Sequence, residues 1–267
     1  NLELALAALG RYAEGEAELR TALAQTPNDP DTLAALGQNF TSQGRLDDAL
    51  ELCEAAITFD PDHLVGRLGR VRANLLAGNL LQGWLDYGWH RRRNSWQPPD
   101  IAGTQWTGED INGQTILLYG EQGLGDIIHF ARYAELVAAR GARVWFYAPP
   151  ALVGLIESVK GIERVYSGDQ PPPTADKILP VMDLPRLFGT ELASIPATLP
   201  YIFPNPPPGP TLPPTQQFRI GIVWAGNPVH ERDRDRSCNL EAFAPLLERP
   251  DVEFFSLQVG LRADDLS

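Results

Sequence analysis

Cysteine, methionine and positive charge are all scarce in this sequence. Of its 267 residues, only Cys53 and Cys238 are cysteines and one is methionine. Two thiols in segments of different character make neither a disulfide framework nor a metal-type spacing, so a disulfide-stapled secreted fold is excluded and a reducing, cytoplasmic setting is expected. Twenty-two Lys and Arg stand against 34 Asp and Glu, a net charge of −12. A chain this acidic repels a polyanionic backbone, and nucleic acid is not an expected partner. No apolar run reaches the roughly 18 residues that would cross a bilayer, so no transmembrane segment is expected. What remains is globular: 43% hydrophobic and 21% charged residues can bury a core. The length suggests two compact units, or three if one is a short repeat array.

Periodicity supplies that array. Gly10, Gly44 and Gly78 stand at successive steps of 34, as do Ala22 with Ala56 and Pro27 with Pro61. Between Pro30 and Pro61 the positions Leu33, Leu36, Gly37, Phe40, Gly44, Ala49, Cys53 and Ala56 resemble the small and large apolar positions of the tetratricopeptide repeat, with Cys53 the unusual occupant. Small residues let two antiparallel helices approach, Gly44 turns between them, and Pro61 ends the second. A third, degraded unit places Leu68-Gly69 two residues early and loads its first helix with Arg67, Arg70 and Arg72, as a capping repeat would. Its second helix is expected to carry Trp84, Tyr87 and Trp89 against whatever follows. The run His90-Arg91-Arg92-Arg93 reads as an anion site or, more simply, as cations complementing a helix C-terminus. Residues 1–97 are assigned to repeats, and 98–113 to a connector holding Trp106.

From residue 114 the pattern changes. Thr115–Tyr119 has the length and branching of a buried strand and runs into a glycine turn, Gly120-Glu121-Gln122-Gly123-Leu124-Gly125-Asp126. Ile127, Phe130, Ala131, Ala134, Val137 and Ala138 then share a helical face before Gly141, and Arg143–Tyr147 reads as the next strand. A helix near 151–158 and strands near 164–166 and 177–181 continue a doubly wound α/β pattern over 114–203. Between Pro204 and Pro214, seven of eleven residues are proline. So many missing donors forbid a central strand, and 204–216 reads as a stiff linker. A second α/β unit begins at 217, with a strand at 219–224, a polar loop, a helix at 240–247 and a strand at 252–257. About one βαβ unit fits before Ser267, and the first nine residues already read as helix interior without an initiator Met. The chain is therefore expected to be part of a longer protein.

The glycine turn lacks the Lys-Ser/Thr pair of a Walker loop and the spacing GxGxxG, which sets ATPase and hydride-transfer chemistry aside. The run Glu121-Gln122-Gly123-Leu124-Gly125-Asp126-Ile127-Ile128-His129-Phe130, with Val223-Trp224-Ala225-Gly226-Asn227-Pro228 and Arg236-Ser237, resembles bacterial tetratricopeptide-fused proteins whose C-terminal half is similar to ADP-heptose:lipopolysaccharide heptosyltransferases. The resemblance implies a GT-B glycosyltransferase: helical repeats, a Rossmann-like domain, and the start of a second Rossmann-like domain. It implies Asp126 as the base that activates an acceptor hydroxyl, with Gln122, Gly123 and Gly125 in the acceptor loop. Donor phosphates would meet Arg236, where that family carries lysine; by their chemistry Asn227, Ser237 and His230 join it as phosphate partners. From the residues alone, Asp126 is equally the N-cap of the following helix, placed at the positive end of its dipole. Asp233-Arg234-Asp235 has the form of a DxD motif, but its interleaved arginines neutralise it, and neither a metal nor a cofactor is expected beyond the nucleotide sugar itself. The expected function is transfer of a sugar from a nucleotide-diphosphate donor to a protein or glycan acceptor, with a protein or peptide on the repeat surface and this piece inactive alone. The alternative is a non-catalytic interaction scaffold with a degenerate transferase fold.

Overall fold

The computed structural model describes residues 6, 9–93, 99–168, 172–203, 212–229, 233 and 236–266. Most of the proline-rich segment, His230, and Arg234-Asp235 lie outside them. The chain divides into two compact units, Asn1–Pro206 and Pro207–Ser267.

The first unit opens with helices α1 (Tyr12–Gln25), α2 (Pro30–Ser42), α3 (Leu46–Phe59), α4 (Leu64–Ala77) and α5 (Leu80–Leu85). Their ends follow local chemistry. The Asp29 carboxylate accepts from Thr32 N–H at 2.9 Å and Pro30 takes the first helical position, while His63 caps α4 by accepting from Gly66 N–H at 3.1 Å. The 34-residue glycines are all left-handed, with φ of 73° at Gly10, 77° at Gly44 and 82° at Gly78. A side chain there would be strained, which explains why the period is carried by glycine. Cys53 is fully buried, and its sulfur would lie 2.9 Å from a Cβ on Gly37 and 2.7 Å from one on Gly69. The odd residue of the repeat is thus the filler of a slot cut by two glycines on neighbouring helices.

The third unit departs from expectation. Its second helix stops at Leu85, and Tyr87–Arg92 continues as a tighter 3-10 turn. The cause is Asp86, whose buried carboxylate is drawn onto Arg67 and Arg70 of α4 while its carbonyl accepts Trp89 N–H. Trp84 packs edge-on to Phe130 of the following layer at 5.4 Å, and Tyr87 reaches Met182. Trp89 does not join them. The guanidinium groups of Arg67 and Arg92 each lie over its ring, at 4.7 and 4.3 Å from the centroid.

The α/β layer comprises β1 (Thr104–Gln105), β2 (Thr115–Tyr119), α6 (Leu124–Ala131), α7 (Ala134–Ala138), β3 (Arg143–Tyr147), α8 (Val153–Ile156), β4 (Ile162–Tyr166), β5 (Lys177–Pro180) and α9 (Leu184–Leu187). All five strands are parallel, in the order β1-β5-β2-β3-β4. Central β2 is buried along its whole length, as its uninterrupted apolar run requires. The segment read as connector is part of this layer: β1 pairs with β5, and Trp106 and Ile111 are fully buried in its core. The helix expected from Ile127 to Ala138 breaks at Arg132-Tyr133. Tyr133 donates to Thr190 at 3.0 Å, and Arg132 stacks on Tyr201 at 4.6 Å.

In the second unit β6 (Phe218–Ile222) pairs in parallel with β7 (Val252–Ser256), and α10 (Ala244–Leu247) follows a 3-10 turn at Leu240–Phe243. The helix expected across 240–247 is α-helical only in its second half, because Pro245 fits the first turn and no interior position.

Candidate active site

In an open parallel sheet, ligands gather beyond the carboxyl ends of the strands where the winding reverses. Here β2 is followed outward by β3 and β4 on one side and by β5 on the other, so the reversal falls between β2 and β5. Tyr119 pairs with Pro180 at that end, and two carboxylates follow closely: Glu121 after β2 and Asp183 after β5. Both side chains are only 7% exposed.

Arg91, from the 3-10 turn of the last repeat, enters between them. Its guanidinium lies 2.6 Å from Asp183 Oδ1 and 3.1 Å from Glu121 Oε1, and His90 Nε2 is 3.2 Å from Glu121 Oε2. Burial on its own would raise the Glu121 carboxyl, but the hydrogen bonds and charges of His90 and Arg91 outweigh it and hold the group below its ordinary range. Burial pushes the neighbouring Tyr119 hydroxyl up to about 12. The reading of His90–Arg93 as complement to a helix dipole is therefore corrected: Arg91 neutralises two buried carboxylates in the α/β layer, and Arg92 pairs with Asp62 at 2.9 Å. Glu121 and Asp183 escaped sequence reasoning. The available signal was a carboxylate just past each of two strands, and an arginine run in need of anions.

The glycine turn starts from this anchored point. Gln122 has φ of 72°, the left-handed region, which costs an ordinary residue about 1–2 kcal/mol, and its amide donates to Tyr87 Oη. Gly123 is the N-cap of α6, and Asp126, three residues on, accepts from Gly123 N–H at 3.1 Å. Asp126 is thus not itself the cap; it reaches back to the cap residue from the first turn, where the dipole favours negative charge. Among the described residues no other hydrogen-bond partner holds its carboxylate, and it is half-buried, while Gln122, Gly123 and Gly125 are exposed. His129, one turn along the helix, is kept below its ordinary range by burial and by Arg132, with Asp126 acting in the opposite sense.

In the second unit the loop after β6 gathers three of the expected phosphate partners around Gly226. Ser237 Oγ accepts from Gly226 N–H at 2.9 Å and donates to Asp233 at 2.6 Å. The Arg236 side chain lies over the same glycine, its Nε 3.1 Å from where a Cβ would stand. Asn227 turns its carbonyl onto Val229 N–H at 3.1 Å. The loop is tied to the strand layer by Gln258, whose Oε1 accepts from the N–H groups of Trp224 and Ala225 at 3.1 and 2.9 Å. His230, the fourth expected partner, lies outside the described residues. Asp233, the first residue of the DxD-like stretch, spends its carboxylate on Ser237. Among the described residues no group of three or more His, Cys, Asp or Glu side chains is arranged to hold a metal ion.

Residues 6–68 match the tetratricopeptide repeat family. That span runs through α1, α2 and α3 into α4, and the helical array is a tetratricopeptide one. Protein FlbA of Caulobacter vibrioides is 32% identical over 108 residues, which are 37% of this chain and 17% of that protein. A solved structure of a mutant O-GlcNAc transferase from Thermobaculum terrenum matches with a TM-score of 0.32 and 12% identity, over 61% of this chain and 39% of that one. The chain thus spans well under two thirds of the length of either.

Proposed function

We propose that this chain is the repeat-bearing and acceptor-side part of a glycosyltransferase that moves a sugar from a nucleotide-diphosphate donor to a protein or glycan acceptor. The observation that carries the reading is Asp126: a carboxylate in the first turn of the helix that leaves the central strand, beside the winding reversal, with one oxygen held by Gly123 N–H and the other unbonded among the described residues. Sugar transfer needs a base for the acceptor proton and donors or cations for the departing diphosphate. Asp126 suits the first need, with Gln122, Gly123 and Gly125 as the exposed acceptor loop. Arg236, Ser237, Asn227 and His230 suit the second by their chemistry. The tetratricopeptide surface is where a protein or peptide partner would dock, and the reaction would run in the cytoplasm on a heptosyltransferase-like scaffold.

One observation favours a second reading. The bond from Gly123 N–H to Asp126 is all that a helix start requires, and a non-catalytic scaffold would keep it. Asp126→Asn in the intact protein separates the two, because an amide oxygen still accepts that bond. For a base, stability stays within about 1 kcal/mol while transfer from UDP-, GDP- or ADP-sugars falls roughly 10²–10⁴-fold. Unchanged turnover in an active protein removes Asp126 from the chemistry, and a wild type inactive with every donor supports the scaffold.

A further inference from the structure

Gln122 is the one non-glycine residue among those described with a left-handed backbone, at φ 72°. A residue bearing a side chain stays there only where its surroundings hold it. The holding groups come from the last turn of the repeat array. Gln122 Nε2 donates to Tyr87 Oη, Tyr87 Oη donates to Met182 Sδ at 3.1 Å, and the preceding Glu121 is gripped by His90 and Arg91. The backbone angles of Gln122 aim the next peptide, so they decide where Gly123 N–H points. That N–H is the group bonded to Asp126.

We propose that Tyr87 is a positioning residue for Asp126: its hydroxyl fixes Gln122 in the left-handed conformation and, through Gly123 N–H, sets the orientation of the carboxylate that takes the acceptor proton. This rests on the reading of Asp126 as the base. Tyr87 itself is no base. Burial, with the charges of Glu121 and Asp126, raises its hydroxyl above the ordinary range and keeps it protonated. The capping repeat is then part of the catalytic apparatus as well as a lid on the array.

Tyr87→Phe tests this, since it removes the hydroxyl and leaves the ring against Trp84, 4.8 Å away. In the full chain, amide exchange at Gly123 should quicken about three- to tenfold, the worth of one hydrogen bond. In the transferase assay kcat should fall by a similar factor with donor KM within about twofold. In a Gln122→Gly background, where glycine takes positive φ with no tether, the same Tyr87→Phe change should cost under about twofold. A packing role would predict equal losses in both backgrounds, and that result overturns the proposal, as does unchanged Gly123 exchange in Tyr87→Phe. If Gly123 exchange responds as stated but neither wild type nor variant transfers sugar, the hold of Tyr87 on the turn stands and the glycosyltransferase reading is what fails.

Discussion

Replacing Arg91 with Gln removes the one guanidinium shared by Glu121 and Asp183, whose side chains are each 7% exposed. Stripping one partner from a buried ion pair typically costs about 3–5 kcal/mol, because the remaining charge is stranded in low dielectric. For a folding unit of about 200 residues, at roughly 2–4 °C per kcal/mol, the midpoint of helix loss should drop about 6–20 °C at pH 7. Arg92→Gln is the internal control. The Arg92–Asp62 pair is 55% and 77% exposed, so even with the stacking on Trp89 its loss should cost only about 0.5–2 kcal/mol. The pH dependence has a definite sign. Glu121 sits below its ordinary value of 4.5 in the folded wild type, so the stability it contributes is present in full above that value and is lost as pH falls through the lowered one. In Arg91→Gln burial acts on Glu121 with less opposition, the carboxyl takes up a proton more readily, and the gap to wild type should narrow between pH 7 and about pH 5. Adding Glu121→Gln and Asp183→Asn should recover most of the loss by removing the stranded charges. A cost at pH 7 no larger than that of Arg92→Gln, or a gap independent of pH, would refute the reasoning.

Further tests address the repeats. Burial pushes the Cys53 thiol up to about 12 while Cys238 is exposed, so a thiol reagent at pH 8 should modify one cysteine quickly in the native chain and two in denaturant, as mass spectrometry would count. Gly69→Ala drives a Cβ to 2.7 Å from the Cys53 sulfur and should cost about 1–3 kcal/mol in urea unfolding, with much of it relieved in Gly69→Ala/Cys53→Ala. Gly44 has open space around it and φ of 77°, so Gly44→Ala should cost about 1 kcal/mol from backbone strain alone, and Gly44→Asn measurably less.

The repeat helices were legible because a positive-φ turn every 34 residues leaves glycine as its trace, and β2 because the short β-branched and apolar run Thr-Ile-Leu-Leu-Tyr ending at a glycine turn has few other uses. Strand β1 was not legible: two residues, Thr104 and Gln105, carry no alternation, and their pairing is with residues 177 and 178. The 3-10 turn at Tyr87–Arg92 was hidden for a similar reason, since it depends on Asp86 being drawn to Arg67 and Arg70 on another helix. At the site, the place of Asp126 after a strand and a glycine turn was readable, whereas the anchoring of that turn was not. Local rules assign three successive basic residues to a helix end, and only the tertiary structure brings Arg91 to carboxylates 30 and 92 residues further on.

That separation matters while the chain is being made. The repeats contact one another locally and can fold as they leave the ribosome, but Asp183 follows Arg91 by 92 residues, about 5–20 s of synthesis. Glu121, Gln122 and Phe130 arrive sooner and cover part of the face carrying Trp84, Tyr87 and Arg91, but Met182 and Asp183 are missing throughout that interval, and β1 waits for β5 as well. The capping repeat thus serves as a template awaiting its complement, and the nascent chain is most exposed to misassociation between the emergence of Trp84 and that of Asp183.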